Sequence, residues 1–185
     1  MIKNVVFDLD DTLWPLNKKA AAMAKIELSK LTNFIVEDNV LLTSDEKRRL
    51  LDVYNSIDLW KDIQYEPKAT EIYKLEELNA KVYINSNCLT QEIADFKRSF
   101  LSDVFNLPQN QIILNVVSCP RDKRMIDNMF IFADDSPFNI AKSTAKYNLV
   151  PNKAWNRVIH NENIHRFDSF EELYDFCTNT LISCL

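Results

Sequence analysis

The stretch Val5-Val6-Phe7-Asp8-Leu9-Asp10-Asp11-Thr12-Leu13-Trp14 constrains the fold more than any other part of this chain. Val5 to Phe7 form a short apolar run, β-branched and aromatic, of the kind that becomes a fully buried strand. The run then breaks into three acidic residues. A buried strand that ends in carboxylates sets them at its C-terminal lip, where open α/β sheets bind ligands. Asp8 and Asp10 lie past the last regular strand residue, so the local turn can bring both to one site. Burying such a cluster is costly unless a cation or hydrogen-bond donors compensate it. Hard oxygen ligands of this kind favour Mg²⁺. The plain alternative is a strand followed by an acidic turn.

The rest of the chain alternates short apolar runs with helical patterns. A second strand is expected over 81–85, ending in Ser86-Asn87-Cys88, and a third over 111–114. A fourth, over 129–133, ends in Asp134-Asp135-Ser136, and Leu149-Val150 reads as a short fifth. Ala20, Ala24, Leu28 and Leu31 recur at helix spacing, and Thr43 with Glu46 makes a capping box ahead of Leu50, Leu51 and Tyr54. Pro67 suits the first turn of a helix continuing through Ile72, Leu75 and Leu78. Thr90 caps a helix with Ile93, Phe96 and Phe100 on one face. Ser136-Pro137 opens another helix, and Ser169 with Glu172 reads as a capping box before Leu173, Phe176 and Cys177.

Strands alternating with helices predict an α/β fold with a doubly wound, mostly parallel sheet. The helices between about residues 17 and 61 have no strand among them and read as an insertion. The expected division is therefore a core domain of residues 1–14 and 66–185 with a small helical cap over 15–65. Right-handed crossovers put the strand C-termini on one edge. That edge collects Asp8 and Asp10, Ser86 and Asn87, and Asp134 and Asp135, with the loop carrying Pro120-Arg121-Asp122-Lys123 within reach.

Composition excludes several functions. The chain has no glycine, which rules out the phosphate-binding P-loop and the dinucleotide fingerprint. Backbone positions needing positive φ must use Asn and Asp instead. A net charge of −5 argues against tight binding to a nucleic-acid polymer. No run is long enough to span a bilayer, and no apolar leader follows a basic N-terminus. Cys88, Cys119, Cys177 and Cys184 show no metal-binding spacing and read as reduced thiols of a cytoplasmic protein. His160 and His165 have no partner that marks a ligand or a base.

Phosphate-ester hydrolysis needs a nucleophile, a proton donor for the leaving oxygen, and charge neutralisation around the phosphoryl group. A carboxylate can attack to form an aspartyl-phosphate, and a second can act as acid and then base. With these parts assembled, the chain resembles the haloacid-dehalogenase superfamily of phosphatases. Asp8-Leu9-Asp10-Asp11-Thr12 is similar to its first motif, Ser86 to the second, Lys123 to the third, and Ile131-Phe132-Ala133-Asp134-Asp135 to the fourth. The resemblance implies Asp8 as nucleophile and Asp10 as general acid/base. It implies Mg²⁺ held by Asp8, the Asp10 carbonyl and Asp134, with Asp135 a further ligand or a support. Thr12, Ser86, Asn87 and Lys123 would meet the phosphate; Arg121 and Arg124 are rivals to Lys123.

A narrower resemblance is to the 5′(3′)-deoxyribonucleotidase group. It rests on Asp122-Lys123, on 130–139, on Ala154-Trp155-Asn156-Arg157, and on the Leu59-Trp60 pair before Pro67. That group usually has Gly-Val where this chain has Asp11-Thr12. The same first-motif wording occurs in magnesium-dependent protein phosphatases. The resemblance implies a nucleoside monophosphate as substrate, with Trp60 lining the base or sugar pocket. Two alternatives are a phosphatase for another small metabolite or a phosphoprotein, and a degenerate member that only binds a phosphorylated ligand.

Overall fold

The computed structural model describes residues 2–119, 121–159 and 163–185; His160 and Pro120 lie outside them. Six strands form one sheet: β1 (Lys3–Phe7), β2 (Ala80–Cys88), β3 (Ile112–Val116), β4 (Met129–Ala133), β5 (Tyr147–Pro151) and β6 (Ile164–Phe167). Their order is β3-β2-β1-β4-β5-β6, and every neighbouring pair is parallel. β1 lies in the interior, flanked by β2 and β4, as an unbroken apolar run requires. Val5 and Phe7 enter a core shared with Ile93, Leu101 and Leu173, whereas Val6 enters a second core with Phe132, Ile140 and Val150. The expected α/β sheet, covered on both faces, is what forms.

Among the described residues, five α-helices accompany the sheet: α1 (Leu16–Ala24), α2 (Ser44–Tyr54), α3 (Gln91–Phe105), α4 (Pro137–Lys142) and α5 (Phe170–Ile182). Several expectations need correction. The first helix stops at Ala24, because Lys25 turns left-handed with φ 55°, and Leu28–Lys30 is a separate 3₁₀ turn. The helix expected after Pro67 is a 3₁₀ segment, Ala69–Leu78, that buries Ala69, Ile72 and Leu75. Its apolar residues are three apart, which fits 3.0 residues per turn better than 3.6. On α3 the buried stripe is Ile93, Ala94, Lys97, Leu101 and Phe105. Phe96 and Phe100 lie beside it, packed edge-on against each other at 5.3 Å.

The capping box at Thr43 and Glu46 closes in both directions. At Ser169 it closes in one only, because the Glu172 carboxylate takes the amide of Asp168. β2 runs on through Ser86, which pairs with Leu114, so Ser86 is a strand residue and not a turn residue. β6 carries no strand signal in the sequence, because its run Ile-His-Arg-Phe is short and half polar. His165 stands on it, exposed, against Phe176 at 4.5 Å.

The missing glycines are replaced largely as composition requires. Left-handed residues include Asp11, Asp62, Asn79, Asn106 and Asn128, joined by Lys25 and Lys68. All four cysteines are free thiols. Among the described residues, no helix is long and apolar enough to cross a membrane.

Candidate active site

β1 ends at Phe7, and the next amide, Asp8 N, donates to the Ala133 carbonyl at 2.7 Å. One strand across, Asp134 N donates to Leu149 O at 3.1 Å. These bonds carry the parallel ladder one residue beyond each strand, so Asp8 and Asp134 emerge side by side at the C-terminal edge. Lys123 reaches them from the loop before β4. Its ammonium donates to Asp8 Oδ1 and Asp134 Oδ2, both at 2.6 Å. Lys123 is buried, whereas Arg121 and Arg124 are exposed.

Asp134 Oδ1 also accepts from Ser136 N at 2.8 Å, and the two Asp134 carboxylate oxygens accept from Asn139 Nδ2 at 3.1 and 3.0 Å. Asp135 accepts from Trp155 Nε1 at 2.8 Å, and Asn156 holds its carbonyl at 3.1 Å. The Ala154–Asn156 turn therefore orients the acidic pair that follows β4.

Asp8, Asp134 and Asp135 are all buried, and among the described residues their ligand oxygens fall within 4.8 Å of one another. Burial pushes the Asp8 carboxyl up to about 8 against the pull of Lys123, with Asp134 adding to the rise. Burial also raises Asp135 well above the usual carboxylate range. For Lys123, burial opposes the charge, but Asp134 and Asp8 more than offset it and the ammonium ends up held above its ordinary value. Fully ionised, three carboxylates and one ammonium leave two negative charges, which one divalent cation balances. Ser136 Oγ and Asn139 Oδ1, buried beside them, have no hydrogen-bond partner. This all-oxygen set fits Mg²⁺.

The turn after β1 is tight: the Leu9 carbonyl accepts the amides of Thr12, Leu13 and Trp14. Asp11, standing where the nucleotidase group has glycine, takes φ 59°. Its carboxylate accepts from Asn17 N at 3.1 and 3.2 Å, which fastens the start of α1. Burial raises that carboxyl to about 7.

The Asp10 carboxylate is held by donors of its own. Its Oδ1 accepts from Trp14 Nε1 at 2.8 Å, and its Oδ2 from Ser86 Oγ at 3.2 Å. Lys97, unread as a functional residue, reaches both oxygens at 3.2 and 2.9 Å. The available signal was a lysine on the buried stripe of α3, four residues from Ile93 and from Leu101.

A cavity of about 590 Å³ opens over this edge. Asp8, Asp10, Asn87 and Lys123 line its floor, and Leu16, Phe34, Ile35, Leu51 and Tyr54 line the side contributed by the segment between β1 and β2. Asn39 fixes that wall: it is 1% exposed, accepts the amides of Thr32 and Asn33, and donates to the carbonyls of Asn33 and Ile35. Of the remaining residues singled out from sequence, Ser86 and Thr12 are buried and do not line the cavity. Trp60 touches the cavity but is 5% exposed, its ring 5.7 Å from Trp14 and 3.8 Å below the Lys97 ammonium.

No family model matches the sequence, and no curated protein matches it. Solved structures do. A haloacid dehalogenase-like hydrolase from Streptococcus pneumoniae superposes with a TM-score of 0.57 at 17% identity, over 95% of this chain and 98% of that one. A hydrolase from Pseudomonas syringae gives 0.58 at 15% identity, over 95% and 98%. A haloacid-dehalogenase hydrolase of family IA from Entamoeba histolytica gives 0.56 at 12% identity, over 98% and 100%. The fold is that of the haloacid-dehalogenase-like hydrolases.

Proposed function

We propose that the protein is a Mg²⁺-dependent phosphomonoesterase working through an aspartyl-phosphate on Asp8, with nucleoside monophosphates as its substrates. The observation that carries this reading is the Lys123 ammonium held between Asp8 and Asp134 at the floor of the cavity. Lys123 holds Asp8 Oδ1, so Oδ2 attacks phosphorus in line with the ester oxygen. As the P–O bond breaks, the Asp10 carboxyl protonates the leaving oxygen. The resulting carboxylate then takes a proton from the water that hydrolyses the acyl-phosphate. Asp8, Asp134, Asp135 and the Asp10 carbonyl would hold Mg²⁺, which neutralises the phosphoryl oxygens and lets a carboxylate approach an anion.

The cavity supports the substrate class. Its volume lies within the range of small-molecule sites. Apart from Lys123, Arg121 is the basic residue on its described lining, which suits one phosphate and an uncharged body. The half-buried ring of Phe34 offers a face for a base. The segment 15–65 acts as a cap: Glu66 N donates to Leu13 O at 3.1 Å, so its entry and exit are stitched together at the core. Free thiols suit a reducing, cytoplasmic setting.

The test is a screen of phosphorylated metabolites with Mg²⁺, including ribo- and deoxynucleoside monophosphates, read as released phosphate. Nucleotides should be hydrolysed fastest, and chelator should abolish release. Preference for a sugar phosphate or a phosphopeptide would redirect the substrate assignment. No hydrolysis of any ester, with a nucleotide still bound, would leave a phospho-ligand binding protein.

A further inference from the structure

Lys97 is the buried cation that the reaction just described does not use. It is 0% exposed at the middle of the apolar stripe of α3. Leucine or methionine would fill that place without the expense of desolvating an ammonium. The ammonium donates to Asp10 Oδ2 at 2.9 Å, Asp10 Oδ1 at 3.2 Å and Ser86 Oγ at 3.2 Å. It sits over two indole rings, Trp60 at 3.8 Å and Trp14 at 5.7 Å. The same Trp14 donates its Nε1–H to Asp10 Oδ1 at 2.8 Å, and Ser86 Oγ donates to Oδ2 at 3.2 Å. Both oxygens of Asp10 are thus gripped from the protein side, while the side chain stays 20% exposed and lines the cavity.

We propose that Lys97 is a positioning residue, which clamps the Asp10 carboxyl in the orientation from which it meets the leaving oxygen and ties that orientation to the cap through Trp60. This rests on the phosphatase reading given above. A short carboxylate on a turn has two freely exchanging side-chain torsions. Three donors on both oxygens remove that freedom before substrate arrives, which is the kind of preorganisation that proton transfer requires. Ser86, expected at the phosphate, serves in the same clamp. Trp60 comes from the return segment of the cap, so its ring against the ammonium joins the cap to Asp10.

The leaving group provides the test. An alkoxide expelled from a nucleoside 5′-monophosphate needs a proton as the P–O bond breaks, and p-nitrophenolate does not. The comparison is made in kcat/KM, which reports phosphorylation of Asp8 and not later hydrolysis. Lys97→Met should lose about 100-fold on the nucleotide, the lower end of what a positioned acid contributes, and about threefold or less on p-nitrophenyl phosphate. In an Asp10→Asn background the same change should add about twofold or less, because the residue it positions is already gone. Lys97→Gln, which keeps a donor, should fall between and guards against a Met variant that does not fold. Independently of turnover, the wild-type protein should show a slowly exchanging Lys97 ammonium signal in ¹⁵N NMR that is lost in Asp10→Asn.

Equal losses on the two esters, or full multiplication of the two single effects, would overturn the proposal, as would an unimpaired Lys97→Met. If Asp10→Asn itself selectively slows the nucleotide, the phosphatase reading stands and Lys97 alone is judged. If the wild-type protein cleaves neither ester with Mg²⁺, the phosphatase reading falls, and this inference with it.

Discussion

Replacing Lys123 with methionine removes the only side-chain cation bonded to Asp8 and Asp134 among the described contacts, while roughly keeping the length of the chain. Both ion pairs are 2.6 Å long, and the three side chains are 2%, 7% and 0% exposed. Solvent cannot take over the lost charge. Breaking a buried pair by removing one partner costs about 3–5 kcal/mol, a sizeable share of a total stability of about 5–15 kcal/mol. At about 2–4 °C per kcal/mol for a chain of this size, the melting temperature should fall by about 6–20 °C. The loss should depend on pH. In the metal-free protein burial raises Asp8 from its ordinary 3.8 to about 8. Its contribution to stability is therefore full below about pH 4 and is lost as pH rises through about 8. Without Lys123 the folded-state value climbs further, so the variant keeps a proton that wild type sheds above about pH 8, and the loss grows as pH rises past that value. The assay is thermal denaturation in EDTA at pH 5, 8 and 9, then with saturating Mg²⁺. At about 100 times its dissociation constant the ion should return about 2.7 kcal/mol, with tighter binding in the variant than in the wild type. A variant as stable as wild type at pH 8 in EDTA, or one whose loss is the same at pH 5 and pH 9, would refute the charge accounting.

Asp8→Asn should abolish phosphate release while folding normally and melting no lower than wild type at pH 8 in EDTA, because it deletes a buried charge; residual turnover above a small fraction would remove Asp8 as nucleophile. EDTA should abolish activity, Mg²⁺ restore it and Ca²⁺ inhibit, since looser coordination misplaces the nucleophile; full activity in chelator would count against the metal. Trp60→Ala should act mainly on stability, with a loss of about 3–5 kcal/mol on denaturant unfolding, because that ring is packed between Trp14 and Lys97. Phe34→Ala should instead lower kcat/KM on nucleotides by about 5–150-fold, the equivalent of about 1–3 kcal/mol per stacked base, and leave p-nitrophenyl phosphate nearly unchanged. Equal losses on both substrates would take Phe34 off the base-binding wall.

Much of the architecture was legible because it depends on local rules. Val5 to Phe7 and Met129 to Ala133 had to be interior strands, since no other use of such apolar runs covers both faces. A chain without glycine places mostly Asn and Asp at left-handed positions, as Asn79, Asn106 and Asn128 show, although Lys25 and Lys68 take them too. Thr43 and Glu46 are neighbours through one helical turn, so their mutual cap was readable before any packing. Asp8, Asp134 and Asp135 were legible as carboxylates at the ends of buried strands.

What tertiary structure decided are the choices among residues of one chemical type. Lys123, Arg121 and Arg124 differ little as sequence, and only the loop's path buries the lysine between Asp8 and Asp134. Ser169 and Glu172 have the spacing of a full capping box, yet Asp168 competes for the glutamate. Lys97 is one of 22 basic residues. Its stripe position hints at burial, but its partners sit 87 and 11 positions away on Asp10 and Ser86. Periodicity reports which face of a helix is covered. It carries no information about what lies opposite, because that depends on which strand the sheet places beside the helix.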